Sequence, residues 1–356
     1  MFLSRIISTL PPYVDPITSA VSRSLQCALE AYACRPTGIS IELESRLGQI
    51  IVLPRLNFHG LPVISSSNAV LHPKNLNLYR FKSEMVVKSL LPMETGLQRL
   101  RLFGSQGRQW ATTSSTISKS YTMIIYTING HRLQYGIPLS TEVKANSHIR
   151  AMRLQSITLK DTTNITDVFC PEWGWDFRLA IANEREIAWR TRIPSSTNAA
   201  TQCVTPSEGD REGAQDAVLD LSTIVPNSTR IRIRHRLPIG PFFYVDLSKD
   251  RVTHIPSNFF SNTSELELLT IPFPVGQSPE AQIEVEVNLP ALYKAWRRFG
   301  RRRRHQDAAV AGDEPANRGR TAAEVCPHQT VDPFLRHVAL EWLALLQFMC
   351  SVRPNL

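Results

Sequence analysis

The sequence predicts an α+β chain dominated by β: a closed antiparallel barrel with a charged interior, its apolar outside packed by N- and C-terminal helices. Three observations predict it. Two strand-like stretches place glutamates on one face, Glu42 and Glu44 in IELESRLG and Glu284 and Glu286 in QIEVEVNL. A third, STRIRIRHRL, places Arg230, Arg232, Arg234 and Arg236 on one face. Helical apolar stripes lie near both ends of the chain.

In a strand, alternate side chains share a face, and like charges two residues apart repel across roughly 7 Å. A solvent face normally mixes signs, so neither the glutamate pairs nor the arginine row suits water alone. A divalent cation reconciles the carboxylates, because hard cations take oxygen ligands. A polyanion reconciles the arginines, whose forks match phosphate oxygens. Turning these faces inward inverts the usual barrel and gives the helices an apolar surface to cover. Residue chemistry alone thus points to a metal-assisted phosphate site.

The elements follow in order. PPYVDPITSAVSRSLQCALEAY reads as a helix with Ile17, Val21, Leu25 and Leu29 on one stripe and Asp15 or Thr18 as its cap. IELESRLGQIIVL is the first strand. SYTMIIYTINGHRLQYG carries Asn129-Gly130, the signature of a type I′ hairpin. In WDFRLAIANEREIAW, Asp176, Arg178 and Glu184 share a face; in PFFYVDLSKDRVTHI, Tyr244, Asp246 and Ser248 do. Residues 195–227 read as a flexible insertion inside a domain spanning 1–300, and residues 301–331 as a basic, disordered linker. DPFLRHVALEWLALLQFMC, within 332–356, is a closing helix capped by Asp332 with Pro333 at its first position.

Composition narrows the class of partner. With 42% hydrophobic residues over 356 positions the chain is globular. Its net charge of +9 favours polyanions. Eleven Lys/Arg against six Asp/Glu between Lys294 and Leu356 place +5 of that charge in the last sixth of the chain. The six cysteines have no zinc-type spacing, which suits a reducing, intracellular compartment. No apolar run approaches the roughly 20 residues of a membrane span.

Five motifs, taken together and in this order, resemble the fungal-type RNA 5′-triphosphatases, the β subunit of the mRNA-capping enzyme, among the triphosphate tunnel metalloenzymes. Glu42-Leu43-Glu44-Ser45-Arg46-Leu47-Gly48 is similar to that family's first strand, E-x-E-x-[KR]-[FL]-G, and VDPITSAV precedes it as a helix of the usual type. Asp176, Arg178 and Glu184 keep the spacing of D-x-[RK]-x-x-x-x-x-E. Arg234-His235-Arg236 resembles the basic strand, Asp246-Leu247-Ser248 the D-L-[ST] segment, and Glu284-Val285-Glu286-Val287-Asn288 the closing acidic strand. The departures are a closing strand with two glutamates instead of three, Arg234 in place of a lysine, and Tyr244 where an arginine often stands.

The resemblance implies removal of the γ-phosphate from triphosphate-ended RNA with Mg²⁺ or Mn²⁺, as the first step of mRNA capping in the nucleus. It implies that Glu42 and Glu44, with Glu284 or Glu286, hold the metal. It implies phosphate contacts from Arg178, Arg234, Arg236 and Arg132, a general base in Glu184, and support from Asp246 and Ser248. It further implies a homodimer and a guanylyltransferase partner, with no membrane. Two other readings stay open: a tunnel enzyme acting on tripolyphosphate or a nucleoside triphosphate, and a basic RNA-binding β protein without catalysis. RRFGRRRRH, from Arg297 to His305, reads as a nuclear localisation signal or an RNA-binding patch.

Overall fold

The computed structural model describes residues 15–53, 68–72, 74, 77–85, 90–104, 118–136, 150–190, 219–220, 225–253, 268–271, 280–311 and 332–352. In chain order the strands are β1 (Ile39–Val52), β2 (Ala69–Val70), β3 (Tyr79–Lys82), β4 (Ser118–Thr127), β5 (His131–Gly136), β6 (Arg150–Phe169) and β7 (Asp176–Glu186). They continue with β8 (Trp189–Arg190), β9 (Leu219–Asp220), β10 (Pro226–Ile239), β11 (Phe243–Thr253), β12 (Leu268–Ile271) and β13 (Glu280–Val287). The helices are α1 (Asp15–Cys34), α2 (Leu90–Gly104), α3 (Leu289–Ala311) and α4 (Pro333–Ser351).

Eight strands close on themselves in the order β4–β5–β6–β7–β1–β13–β11–β10, each pair antiparallel, with β10 returning to β4. Directly paired residues share a face, and the registers put charge opposite charge. Glu44 faces Glu286 and Arg46 faces Glu284 across β1 and β13; Arg236 faces Asp246 across β10 and β11; Lys160 faces Glu184 across β6 and β7. The alternate residues Leu43, Leu47, Phe177, Leu179, Val245, Leu247, Ile283 and Val285 are buried on the outside, in one core with α1 and α4. The inverted barrel predicted from the alternation is the observed one.

The helices are therefore structural walls. Ile17, Val21, Leu25 and Leu29 are all buried, as their spacing requires, while Thr18 is buried within α1 instead of capping it. Asp332 caps α4 by accepting from the Phe334 amide at 2.8 Å, with Pro333 beginning the helix. Trp342 of α4 is fully buried and its indole N–H donates to Ser45 Oγ at 3.1 Å, tying the closing helix to β1.

Three local expectations come out differently. The β4–β5 connection is a three-residue loop in which the Gly130 amide donates to Thr127 O at 3.1 Å. A two-residue type I′ turn over Asn129-Gly130 would bond one position later. Gly130 takes the left-handed conformation (φ +80°) that lets such a loop rejoin the ladder. Residues 301–311 continue α3 and are not a linker, while 312–331 lie outside the described residues. Of the 195–227 insertion only 219–220 and 225–227 are described; Leu219–Asp220 pairs with β8, and Pro226 already begins β10.

Candidate functional site

The barrel encloses a cavity of about 490 Å³, within the range of small-ligand sites. Its walls divide by charge. Glu42 and Glu44 of β1, Glu184 of β7, Asp246 of β11 and Glu284 and Glu286 of β13 supply six carboxylates. Arg46 of β1, Arg132 of β5, Lys160 of β6 and Arg230, Arg232 and Arg234 of β10 supply six cations. Strand alternation alone builds this lining, since each of these residues occupies the inward position of its strand.

The ion pairs fall into tight and loose sets. Arg232 holds Asp250 through two hydrogen bonds of 2.9 and 2.7 Å and donates to Gln282 at 3.0 Å. Arg236 grips Asp246 at 2.8 and 2.7 Å and also reaches Glu286. Arg46 bonds Glu44 at 2.8 Å and lies 3.1 Å from Glu284; Glu284 Oε1 is buried there without a hydrogen-bond donor. By contrast Arg132–Glu184, Arg230–Asp250 and Arg234–Asp246 stand at 3.4 Å; roughly 30% of each arginine side chain is exposed, as it is for Arg46 and Arg236. These three guanidinium groups have capacity for another anion.

The acids are not equivalent. Burial would push Glu284 up, but Arg46, Arg232, Arg234 and Lys160 outweigh it and hold its carboxyl at about 2. Glu42 is also lowered: burial opposes ionisation, and the Lys160 ammonium, 2.5 Å away, overcomes it. Glu184 moves the other way, to about 7, through burial, repulsion by Glu42 and a hydrogen bond with Glu42, against Lys160 and Arg132. Glu286 is raised by burial and by Glu42 and Asp246, against Arg236. Glu42 is thus the carboxylate that its acidic neighbours repel.

The structure brings Glu42, Glu44, Glu184, Glu284, Glu286, Asp246, Arg132 and Arg234 to one cavity. Arg236 sits at one end of the barrel, over the Tyr244 ring at 5.2 Å. Arg178 and Ser248 are not part of the lining. Arg178 is bound at 2.6 and 2.9 Å to buried Asp167 and packs under the Phe81 ring at 4.8 Å. Tyr79 bonds the same carboxylate at 2.9 Å, so β3, β6 and β7 are joined there. Ser248 is fully buried, its hydroxyl without a partner among the described residues. Asp176 accepts from the Ile50 and Cys170 amides, which makes it a structural clasp.

Four of the six cavity cations, Arg46, Lys160, Arg230 and Arg232, were given no role in the site by sequence. Lys160 bridges Glu42 at 2.5 Å and Glu44 at 3.4 Å. Its signal was the alternation of Ser156, Thr158 and Lys160 in a polar stretch without a second same-face charge. Arg230 and Arg232 belonged to the arginine row but not to the matched motif, and Arg46 to the first-strand motif without a role of its own.

Among the described residues, no three His, Cys, Asp or Glu side chains converge closely enough to hold a metal ion. The donor chemistry nonetheless fits a hard cation. Glu42, Glu44 and Glu286 supply carboxylate oxygens from two paired strands, Glu286 registered opposite Glu44. The mutual repulsion around Glu42 is what a divalent ion would relieve. Six carboxylates stand against six cations in the lining, and a divalent ion would add to the positive charge available to an anion.

Fold and lining define a closed barrel around a cavity lined by carboxylates and basic side chains. No protein-family model and no curated protein matches the chain. Among solved structures it is similar to the Pct1 RNA triphosphatase of S. pombe, with 14% identity and a TM-score of 0.45 over 85% of this chain and 92% of that one. A structure of the same protein with the Spt5 CTD gives 15% and 0.44, over 82% and 84%. The Mimivirus capping enzyme triphosphatase gives 7% and 0.31, over 76% and 88%.

Proposed function

We propose that the chain is an RNA 5′-triphosphatase that removes the γ-phosphate of nascent RNA, leaving the diphosphate end required for capping. The observation that carries this is the enclosed cavity with an acidic wall facing loosely paired arginines. The sequence motifs resembling the fungal-type enzymes supply the RNA substrate.

On this reading Arg132, Arg230 and Arg234 exchange their 3.4 Å carboxylate contacts for phosphate oxygens, each as a bidentate clamp. Arg236 and Arg232 hold the β10 row in place through Asp246 and Asp250. Glu184, half protonated near neutrality, takes a proton from the attacking water. The water oxygen bonds to the γ-phosphorus, the bridge to the β-phosphate breaks, and inorganic phosphate leaves. Glu42, Glu44 and Glu286 or Glu284 would hold Mg²⁺ or Mn²⁺, which would supply positive charge to the phosphate oxygens. A guanylyltransferase that consumes the product, a homodimer and a nuclear location complete the proposal.

Initial rates on triphosphate-ended RNA, tripolyphosphate and ATP, with Mg²⁺ or Mn²⁺, test it. RNA should show the highest kcat/KM. Preference for tripolyphosphate or ATP would transfer the same site to a small-molecule tunnel hydrolase. RNA binding without any phosphate release would leave a non-catalytic binding protein.

A further inference from the structure

Outside the tunnel, α3 carries a basic face. Lys294, Arg297, Arg298, Arg301 and Arg302 recur at spacings of three and four, which gathers them on one side of a helix. All five are exposed. Among the described residues none joins an ion pair; Arg297 lies only over the ring of Tyr293, 5.6 Å away on the same helix. The other side anchors α3: Tyr293 meets Tyr32 at 5.4 Å, Trp296 donates to Asp332 at 2.9 Å, and Phe299 stacks on Phe334 at 5.4 Å. Asp307 is the one acidic residue in 289–311, so the face repels itself and lacks the mixed signs of a solvated surface.

The root of this helix is built into one end of the barrel. Asn288 accepts from the Ala291 amide at 3.3 Å, donates its own amide to Phe242 O at 2.7 Å, and donates through Nδ2 to the Tyr244 hydroxyl at 3.1 Å. The Tyr244 ring carries Arg236, which reaches Glu286 and Asp246. At the other end, Phe81 lies against Gly48, where an added Cβ would come within 2.7 Å of the ring. The basic face therefore begins at the Asn288 end of the barrel, opposite the Gly48 end.

We propose that this face of α3 binds the phosphodiester backbone of the RNA whose 5′ end occupies the tunnel, downstream of the reacting triphosphate. The proposal rests on the RNA-directed reading above. A single strand supplies phosphates at regular intervals, which exposed arginine forks match, and one continuous polyanion then spans tunnel and helix.

The test is binding of a labelled single-stranded RNA with a 5′-hydroxyl end, which has no triphosphate, over a salt series. Arg297→Gln/Arg298→Gln/Arg301→Gln/Arg302→Gln should bind ~10-fold or more weakly at low salt. Its log–log salt slope should shrink by up to about 3, near 0.7 for each phosphate that the variant no longer neutralises. Lysines at the same four positions should retain the slope. In turnover, the glutamine variant should raise KM for long triphosphate-ended RNA and leave a triphosphate-ended dinucleotide unaffected. Unchanged RNA affinity and slope would overturn the proposal, as would poly-glutamate competing as well as RNA of equal charge. If no substrate releases phosphate, the enzymatic reading falls separately; α3-dependent RNA binding would still uphold the surface.

Discussion

Replacing Glu284 with Gln removes the carboxylate on which four tunnel cations converge. Its folded value of about 2, against an ordinary 4.5, corresponds to about 3 kcal/mol at 1.36 kcal/mol per pKa unit. The group is 5% exposed, so solvent does little to screen it. A carboxyl held below its unfolded value stabilises the fold above about pH 4.5 and loses that contribution as pH falls toward 2. Gln keeps the shape but leaves Arg46 with Glu44 alone. Urea unfolding in EDTA should therefore show Glu284→Gln less stable than wild type by about 3 kcal/mol at pH 7. The gap should narrow steadily below pH 4.5. Equal stability at pH 7, or a gap that does not change with pH, would refute the reasoning.

Three further predictions concern separate parts of the structure. The rate should climb with pH through about 7 as Glu184 loses its proton; Glu184→Gln should abolish that limb and lower kcat by ~10²–10⁴, read from a kcat/KM pH profile. Lys160→Met strands Glu42 and Glu44 and should cost about 3 kcal/mol without metal, with Mn²⁺ raising Tm more in the variant than in wild type. Trp342→Ala, which empties the buried α4–β1 seam, should cost about 3–5 kcal/mol in denaturant unfolding.

What was legible in the sequence was whatever depends on alternation within one element. Glu42 and Glu44 face inward because Leu43 and Leu47 must face the core, and the same rule placed the β10 arginines and the β13 glutamates. The α1 stripe and the Asp332 cap were readable for the same local reason. What was not legible depends on register between distant strands. Arg178 keeps the motif spacing and, opposite Arg46, the inward face, yet Asp167 holds it away from the cavity lining. Lys160 is one charge in a polar strand, and only its position opposite Glu184 brings it to Glu42. The Asn129-Gly130 signal marked the hairpin correctly, but the loop length follows from the β4–β5 register.

The most direct measurement is phosphate release from triphosphate-ended RNA with Mn²⁺, comparing wild type with Glu42→Ala/Glu44→Ala. The account predicts that wild type releases phosphate and that the double variant loses at least ~10²-fold in kcat. Equal rates from the two proteins would contradict it.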